Sequence, residues 1–294
     1  MPKSRSTRRK KKAGSSPRVR PLPDTRVMES LLARLAGGQV SDDIGAAQQI
    51  MYDAWEAADR RRRVALARRA IEVSPLCADA YVLLAQETAR TVNEALDLYR
   101  QGVDAGERAL GKAAFAEDAG HFWGILETRP YMRARFGLAQ ALWTNGLRDE
   151  AVVHYRDMLR LNPNDNQGIR YTLLNCLLEL GRDSDAGGLL KRYKNDSAAA
   201  WVYSEALSRF RREGDSAASR AALARAIGTN AHVPAYLLGR RKLPGTLPDL
   251  IGLGGEDEAV AYVHEAAGAW AAAPAALEWL SATLDGLPAA SPRR

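Results

Sequence analysis

The stretch Met132–Asn164, MRARFGLAQALWTNGLRDEAVVHYRDMLRLNPN, reads as two amphipathic helices joined by a turn. Leu138, Ala139 and Leu142 stand at i, i+1 and i+4 and share one face of a first helix. Asn145-Gly146 supplies the turn, because glycine enters the left-handed region without a Cβ penalty. Asp149 opens a second run with Ala151, Tyr155, Met158 and Leu159 on one side, and Pro163 closes it. With Met132 as position 1 and Asn166 as the end of the unit, a large residue falls at 7, a small one at 8, Gly at 15, Ala at 20, an aromatic at 24 and Pro at 32. Thirty-five residues on, Leu138, Leu142, Gly146, Ala151 and Tyr155 return as Leu173, Leu177, Gly181, Ala186 and Leu190. Thirty-three further on they return as Ala206, Phe210, Gly214, Ser219 and Leu223. Five positions held through two steps define a repeat of helical hairpins.

The pattern resembles the tetratricopeptide repeat, whose period is about 34 residues. The expected fold is all-α: an α-solenoid of tetratricopeptide-like helical hairpins with a C-terminal helical cap. Three units follow one another, Met132–Asn166, Gln167–Ala199 and Ala200–Ala231. A second unit is read over Ala78–Asp104. A degenerate first unit ends with Ala70, Ile71 and Pro75 at positions 27, 28 and 32, after a helix carrying Ile50, Met51, Ala54 and Trp55. Arg60–Arg63 open the second helix of that unit as a solvated face. From Ala95 to its equivalent Ala151 is fifty-six residues, so one extra helix, roughly Arg108–Thr128, is expected within an insertion at about 106–131. Phe122, Trp123 and Leu126 would share its apolar face. The expected boundaries are a disordered basic tail at 1–26, the solenoid at 27–231, the cap at 232–286 and a polar tail at 287–294. A short helix with Val27, Leu31, Leu32 and Leu35, stopped by Gly37-Gly38, begins the solenoid.

The charge is unevenly placed. Net charge is +7, yet nine of the 42 Lys and Arg lie in residues 1–20, leaving 33 basic against 35 acidic residues elsewhere. The basic character therefore belongs to a tail, with Arg8, Arg9, Lys10, Lys11 and Lys12 at its centre. Too few large apolar side chains accompany those charges to offset the entropy of ordering the segment. Cys77 and Cys176 lie far apart within helical text and read as buried small hydrophobes. No run reaches the roughly 18 apolar residues of a membrane span, and the N-terminus lacks the apolar core of a signal peptide. The expected location is cytoplasmic.

Residues 232–286 leave the period. Leu243-Pro244 and Leu247-Pro248 make an irregular link, then two helices, Asp257–Ala272 and Pro274–Leu284, turn Val260, Val263, Ala267, Leu277 and Leu280 inward. His232, Val233, Pro234, Tyr236, Leu237, Leu238, Leu243, Pro244, Glu258, Ala259, Ala261, Tyr262 and Trp270 carry a second likeness. They resemble the C-terminal block of the suppression-of-tumorigenicity (tumour suppressor seven) family and its bacterial relatives. The resemblance implies a helical-repeat fold and no known catalytic residues. Eukaryotic members carry membrane-spanning N-terminal segments, where this chain has its basic tail. Some bacterial relatives end in a cysteine-rich zinc motif, which is not expected here because no cysteine follows Cys176.

No catalytic, cofactor-binding or metal residue is expected. The phosphate-binding glycine loops, H-E-x-x-H and G-x-S-x-G are missing. His121, His154, His232 and His264 are dispersed, and His121, Glu127 and Arg129 lack the further groups of an acid–base constellation. By resemblance, repeat positions 2, 5, 9, 12 and 13 face a concave groove that takes extended peptides. This places Arg133, Gln140, Trp143, Tyr171, Asn175, Trp201, Ser208, Arg211 and Arg212 in the groove, together with Phe136, Ser204 and Glu179. Arginine and amide side chains suit a carboxylate or a peptide backbone, so the expected partner is a protein or peptide, acidic or bound by its C-terminus. The competing reading packs the aromatics, Phe136 and Trp201 above all, between repeats. The functional expectation is a non-enzymatic adaptor. The alternative is an RNA- or ribosome-associated protein tethered by its tail, although no aromatic interleaves the charges to stack on bases. A joint Asn175→Ala and Arg211→Ala change is expected to abolish capture.

Overall fold

The computed structural model of the chain describes residues 26–35, 43–248 and 250–286. The five basic residues Arg8–Lys12, Gly37-Gly38, Ser41-Asp42 and the C-terminal tail lie outside the described residues. Within them the fold is all-α. Helix α1 (Arg26–Leu35) precedes five pairs: α2 (Asp43–Glu56) with α3 (Arg60–Val73), α4 (Ala78–Thr88) with α5 (Val92–Glu117), α6 (Arg129–Thr144) with α7 (Arg148–Leu161), α8 (Ile169–Glu179) with α9 (Asp183–Arg192), and α10 (Ala199–Glu213) with α11 (Ala217–Thr229). Helices α12 (Val233–Leu237), α13 (Glu256–Ala271) and α14 (Pro274–Asp285) follow. Each helix packs on its hairpin partner and each pair on the next, the sequential packing of a helical-repeat architecture.

The period reappears as geometry. Gly146, Gly181 and Gly214 turn the last three hairpins at φ 82°, 72° and 66°, where a side chain would be strained. Leu138, Leu173 and Ala206 are buried on the first helices, and Ala151, Ala186 and Ser219 on the second. Both cysteines are buried and free. Burial pushes the Cys77 thiol up to about 12 and raises that of Cys176, so neither is a reactive thiolate near neutrality. One continuous apolar core runs from Leu96 to Leu280, while the first hairpin and α4 share a separate cluster around Met51, Ala67 and Leu83.

The inserted text does not form the single helix expected over Arg108–Thr128. The span α5 is two helical segments that meet at a kink at Gly111 (φ 69°, ψ 168°), the second ending at Glu117. Phe122, Trp123 and Gly124 then form a single 3-10 turn. That turn is pinned from outside: Gly120 donates its N–H to the Leu161 carbonyl at 2.9 Å, and the Thr128 hydroxyl donates to the carbonyls of Phe122 and Ile125. Phe122 and Trp123 are buried, and Phe115, Phe122 and Tyr131 meet in tilted and edge-on contacts as one aromatic cluster. Apolar burial was legible here; the helical phase was not.

The C-terminal helices pack back along the stack. Helix α12 starts one period after the start of α10, then stops after five residues at Gly239 (φ 66°). Helix α13 folds back along α8 and α10, and α14 packs against α13 and α10. Of the residues expected to face inward, Val260, Val263 and Leu280 are buried and Leu277 half-buried, but Ala267 is exposed. At the other end, α1 buries Glu29 and Ser30 and leaves Leu31, one of the four residues expected on its apolar face, half exposed; the side chains of Val27, Leu32 and Leu35 lie outside the described ones.

Candidate functional site

The residues expected in the groove, from Arg133 to Arg212, lie on α6, α8 and α10, the first helices of the last three hairpins. Two of the chain's own helices lie on this first-helix face, one from each end. Helix α13 covers the part built by α8 and α10. Its Glu258 is buried and accepts hydrogen bonds from the Ala199 N–H at 2.8 Å, the Asn230 amide at 3.0 Å and the Gly254 N–H at 2.8 Å. Ala199 begins α10, whose N-cap residue gives no side-chain bond, so Glu258 supplies the missing carboxylate at a helix N-terminus. Asn230 is held in turn, donating also to the Gly255 carbonyl at 2.8 Å and accepting from Tyr203 through its own carbonyl at 2.6 Å. Further along α13, Tyr262 lies 3.5 Å from the Ser204 hydroxyl and accepts from the Trp270 indole at 2.8 Å. A Cβ at Gly268 would meet the Glu179 carboxylate at 2.7 Å, so the glycine allows this close approach. Trp279 of α14 stacks on Phe210 at 4.5 Å and donates to Asp215 at 2.9 Å.

Helix α1 covers the other part through charge. Glu29 is 1% exposed and accepts from Arg129 at 3.1 Å and from Arg133 at 2.8 Å, both on α6. Arg133 also binds Asp79 of α4, itself fully buried, with 2.8 and 2.5 Å contacts. Gln48 of α2 donates to the same Asp79 at 2.9 Å. Trp55 lies under two guanidiniums, those of Arg26 at 4.7 Å and Arg133 at 5.4 Å, and Trp123 under Arg129 at 5.3 Å. Burial works against the charge of Arg133, but Asp79 and then Glu29 more than offset it and hold its pKa above the usual value. Burial, with Glu29 and Asp79 adding to it, pushes the nearby Tyr52 hydroxyl up to about 12.

The residues expected in the groove therefore divide. Arg133 is spent on Glu29 and Asp79. Trp201, 2% exposed, packs edge-on against Tyr171 and Tyr193, and Ser208 is buried without a hydrogen-bond partner. The Tyr171 hydroxyl donates to Asp196 at 2.7 Å, beneath the Arg170 guanidinium at 4.3 Å. Arg211 donates to the Leu178 carbonyl at 2.6 Å and pairs with Asp183 at 3.1 Å, so its loss would strip a neighbouring hairpin of support. Gln140, Trp143 and Asn175 stay half-buried and Arg212 exposed; Trp143 carries Arg148 over its ring at 4.8 Å. Phe136 is buried against Tyr155.

Two other groupings resolve. His121 and Glu127 are exposed and Arg129 turns away from them to Glu29 and the Trp123 carbonyl. Arg60 and Arg63 are not simply solvated, since both pair with Glu87 and Arg63 also holds the carbonyls of Ala57 and Ala58. Among the described residues no group of three or more His, Cys, Asp or Glu side chains is placed to hold a metal ion. None of their helices is long and apolar enough to cross a membrane.

Sequence reading passed over Glu29 and Asp79, which carry no local signal, since both sit on ordinary helical text. It named Glu258 only through the family likeness. Asp165 was legible in principle: it stands just ahead of a helix, caps α8 by accepting from the N–H groups of Ile169 and Arg170 at 2.7 and 2.9 Å, and pairs with the Arg170 guanidinium.

The ST7 protein family matches residues 39–293. Suppressor of tumorigenicity 7 proteins of Macaca fascicularis, Rattus norvegicus and Mus musculus are each 30% identical over 292 aligned residues, covering 84% of this chain. The chain spans about half the length of these curated relatives, 54% of the macaque protein and 50% of the other two. The family match takes in α2 to α14 and begins after α1, and by it the chain belongs to the ST7 protein family.

Proposed function

We propose that the chain is a protein–protein interaction adaptor whose tetratricopeptide-like first-helix face receives a partner segment between the two self-docked helices. The ST7 family is not a recognised enzyme family, and the sequence lacks the phosphate-loop and hydrolase motifs. The observation that carries the reading is the stretch left between α1 and α13. There Gln140, Trp143 and Asn175 stay half-buried on α6 and α8, and among the described residues no side-chain hydrogen bond holds either amide to the fold. Amides at helical spacing beside an indole offer paired donors and acceptors to a peptide backbone, with flat apolar area alongside.

Arg211 is unsuited to the test because it supports α8 and α9. Gln140→Ala with Asn175→Ala replaces it. Discrete protein partners captured from native lysate by the full chain at high salt should fall at least tenfold with that double variant, whose melting curve should stay close to that of the parent. Undiminished capture would remove the central stretch from the reading. A second reading rests on the nine basic residues in 1–20, which suit nucleic acid. It requires binding that weakens steeply with salt and disappears on deleting residues 2–20.

A further inference from the structure

The Arg129–Arg133 cluster holds more positive charge than the folded stack alone neutralises. Of the two half-buried guanidiniums on α6, Arg133 pairs with a buried carboxylate of the stack, Asp79 on α4, and Arg129 has a backbone carbonyl of the stack, that of Trp123. The balance closes only when a second carboxylate enters, and here it comes from Glu29 on α1. An unpaired guanidinium at such a site is costly, since desolvation is not returned as ion pairing. Two indoles, Trp55 and Trp123, flank the arginines and fix their planes. Donors on both sides of one carboxylate, with aromatic walls, make a recognition site for an acidic side chain.

Its present occupant is lightly built. Helix α1 has ten residues, below the length at which a helix is stable by itself in water. It buries Glu29 and Ser30 and leaves Met28 and Leu31 at 58% and 50% exposure. Among its described side chains the anchor is the charged Glu29. We propose that Arg129 and Arg133 form a carboxylate-recognition site for an acidic helical segment of a partner protein, and that α1 fills it in cis as a displaceable self-ligand. The partner rests on the adaptor reading above; the site itself rests on the geometry. Because α1 belongs to the same chain, its effective concentration is on the order of millimolar, so a partner must outcompete it and binds the intact chain weakly.

The test uses a fluorescent peptide spanning residues 24–36 of this chain, added to the full-length protein. The chain carrying Glu29→Arg, whose own α1 is repelled from the site, should bind the peptide at least tenfold more tightly than the parent. Adding Arg129→Gln to that chain, or using a peptide with Glu29→Gln, should cancel the gain. In the unaltered chain, excess peptide should speed amide exchange across residues 26–35 as α1 is released, and the Gln peptide should not. This second measurement stands if the Glu29→Arg chain fails to fold. Equal affinity for the two chains, equal binding of the Gln peptide, or unchanged exchange at 26–35 would overturn the assignment. Should that happen while Gln140 and Asn175 still govern partner capture, the adaptor reading survives and this site does not.

Discussion

At the scale of single residues the decisive groups are buried and charged. Glu29 and Glu258 each bring a carboxylate into the first-helix face, one against guanidiniums and one against a helix N-terminus. Neither position is distinguishable in sequence from a solvated glutamate, because the helix terminus that Glu258 caps, at Ala199, lies 59 residues away and the arginines that hold Glu29 lie 100 or more away. His154 shows the same dependence on distant neighbours. Its Nδ1 accepts from Arg135 at 3.2 Å, and Arg135 also binds Asp157. Burial first, and then the Arg135 charge, lower its pKa from 6.5 to about 4, with Asp157 opposing. The unfolded chain thus takes up a proton near 6.5 while the folded one does so only near 4. Stability contributed above pH 6.5 is lost as pH falls toward 4. Denaturant midpoints of the parent should drop between pH 7 and pH 5, and His154→Gln should flatten that part of the profile; an unchanged slope would count against the assignment.

At the scale of elements, the hairpins were legible because their signals are local. Turn glycines, a small residue at position 20 and apolar faces at helical spacing are properties of 33 to 35 consecutive residues. The packing of α5 on α6 was not, since it depends on which glycine meets which ring. A Cβ at Gly137 would intrude on the Tyr99 ring, and one at Gly106 would lie 2.9 Å from Tyr131 Cβ. Gly188, on α9, has open space around it. Gly137→Ala should therefore destabilise by about 1–3 kcal/mol through overpacking. Gly188→Ala should stabilise by about 0.5–1 kcal/mol through helix propensity. Urea unfolding of both variants decides it, and like signs would refute the packing account. The form of the inserted stretch was hidden from the sequence for the same reason. Phe122 and Trp123 satisfy a helical phase as well as a 3-10 turn, and what selects the turn is a hydrogen bond to Leu161 on another hairpin.

At the scale of the molecule, the apolar cores are unequal. The cluster around Met51, Ala67 and Leu83 is small and separate, while a single core continues from α5 to α14. Stacks of repeats open by neighbouring units, with local stability following local burial. Native-state hydrogen exchange should thus release α2 and α3 at a lower free energy than α6 to α10; uniform protection across the stack would contradict this. The docking of α13 onto α8 and α10 adds to the stability of the last hairpins and ties residues near 260 to residues near 200.

The sequence by itself determined the all-α class, the repeat period, the turns and the buried small residues, because each follows from side chains within one or two helical turns of each other. It also carried the likeness over residues 230–270 that the family match extends across most of the chain. Only the tertiary structure decided that the two ends fold onto the first-helix face. That outcome depends on a few long-range contacts, Glu29 with Arg129 and Arg133 and Glu258 with Ala199, whose energy comes from desolvated charge and helix termini brought together by the stack and not from any periodic pattern along it.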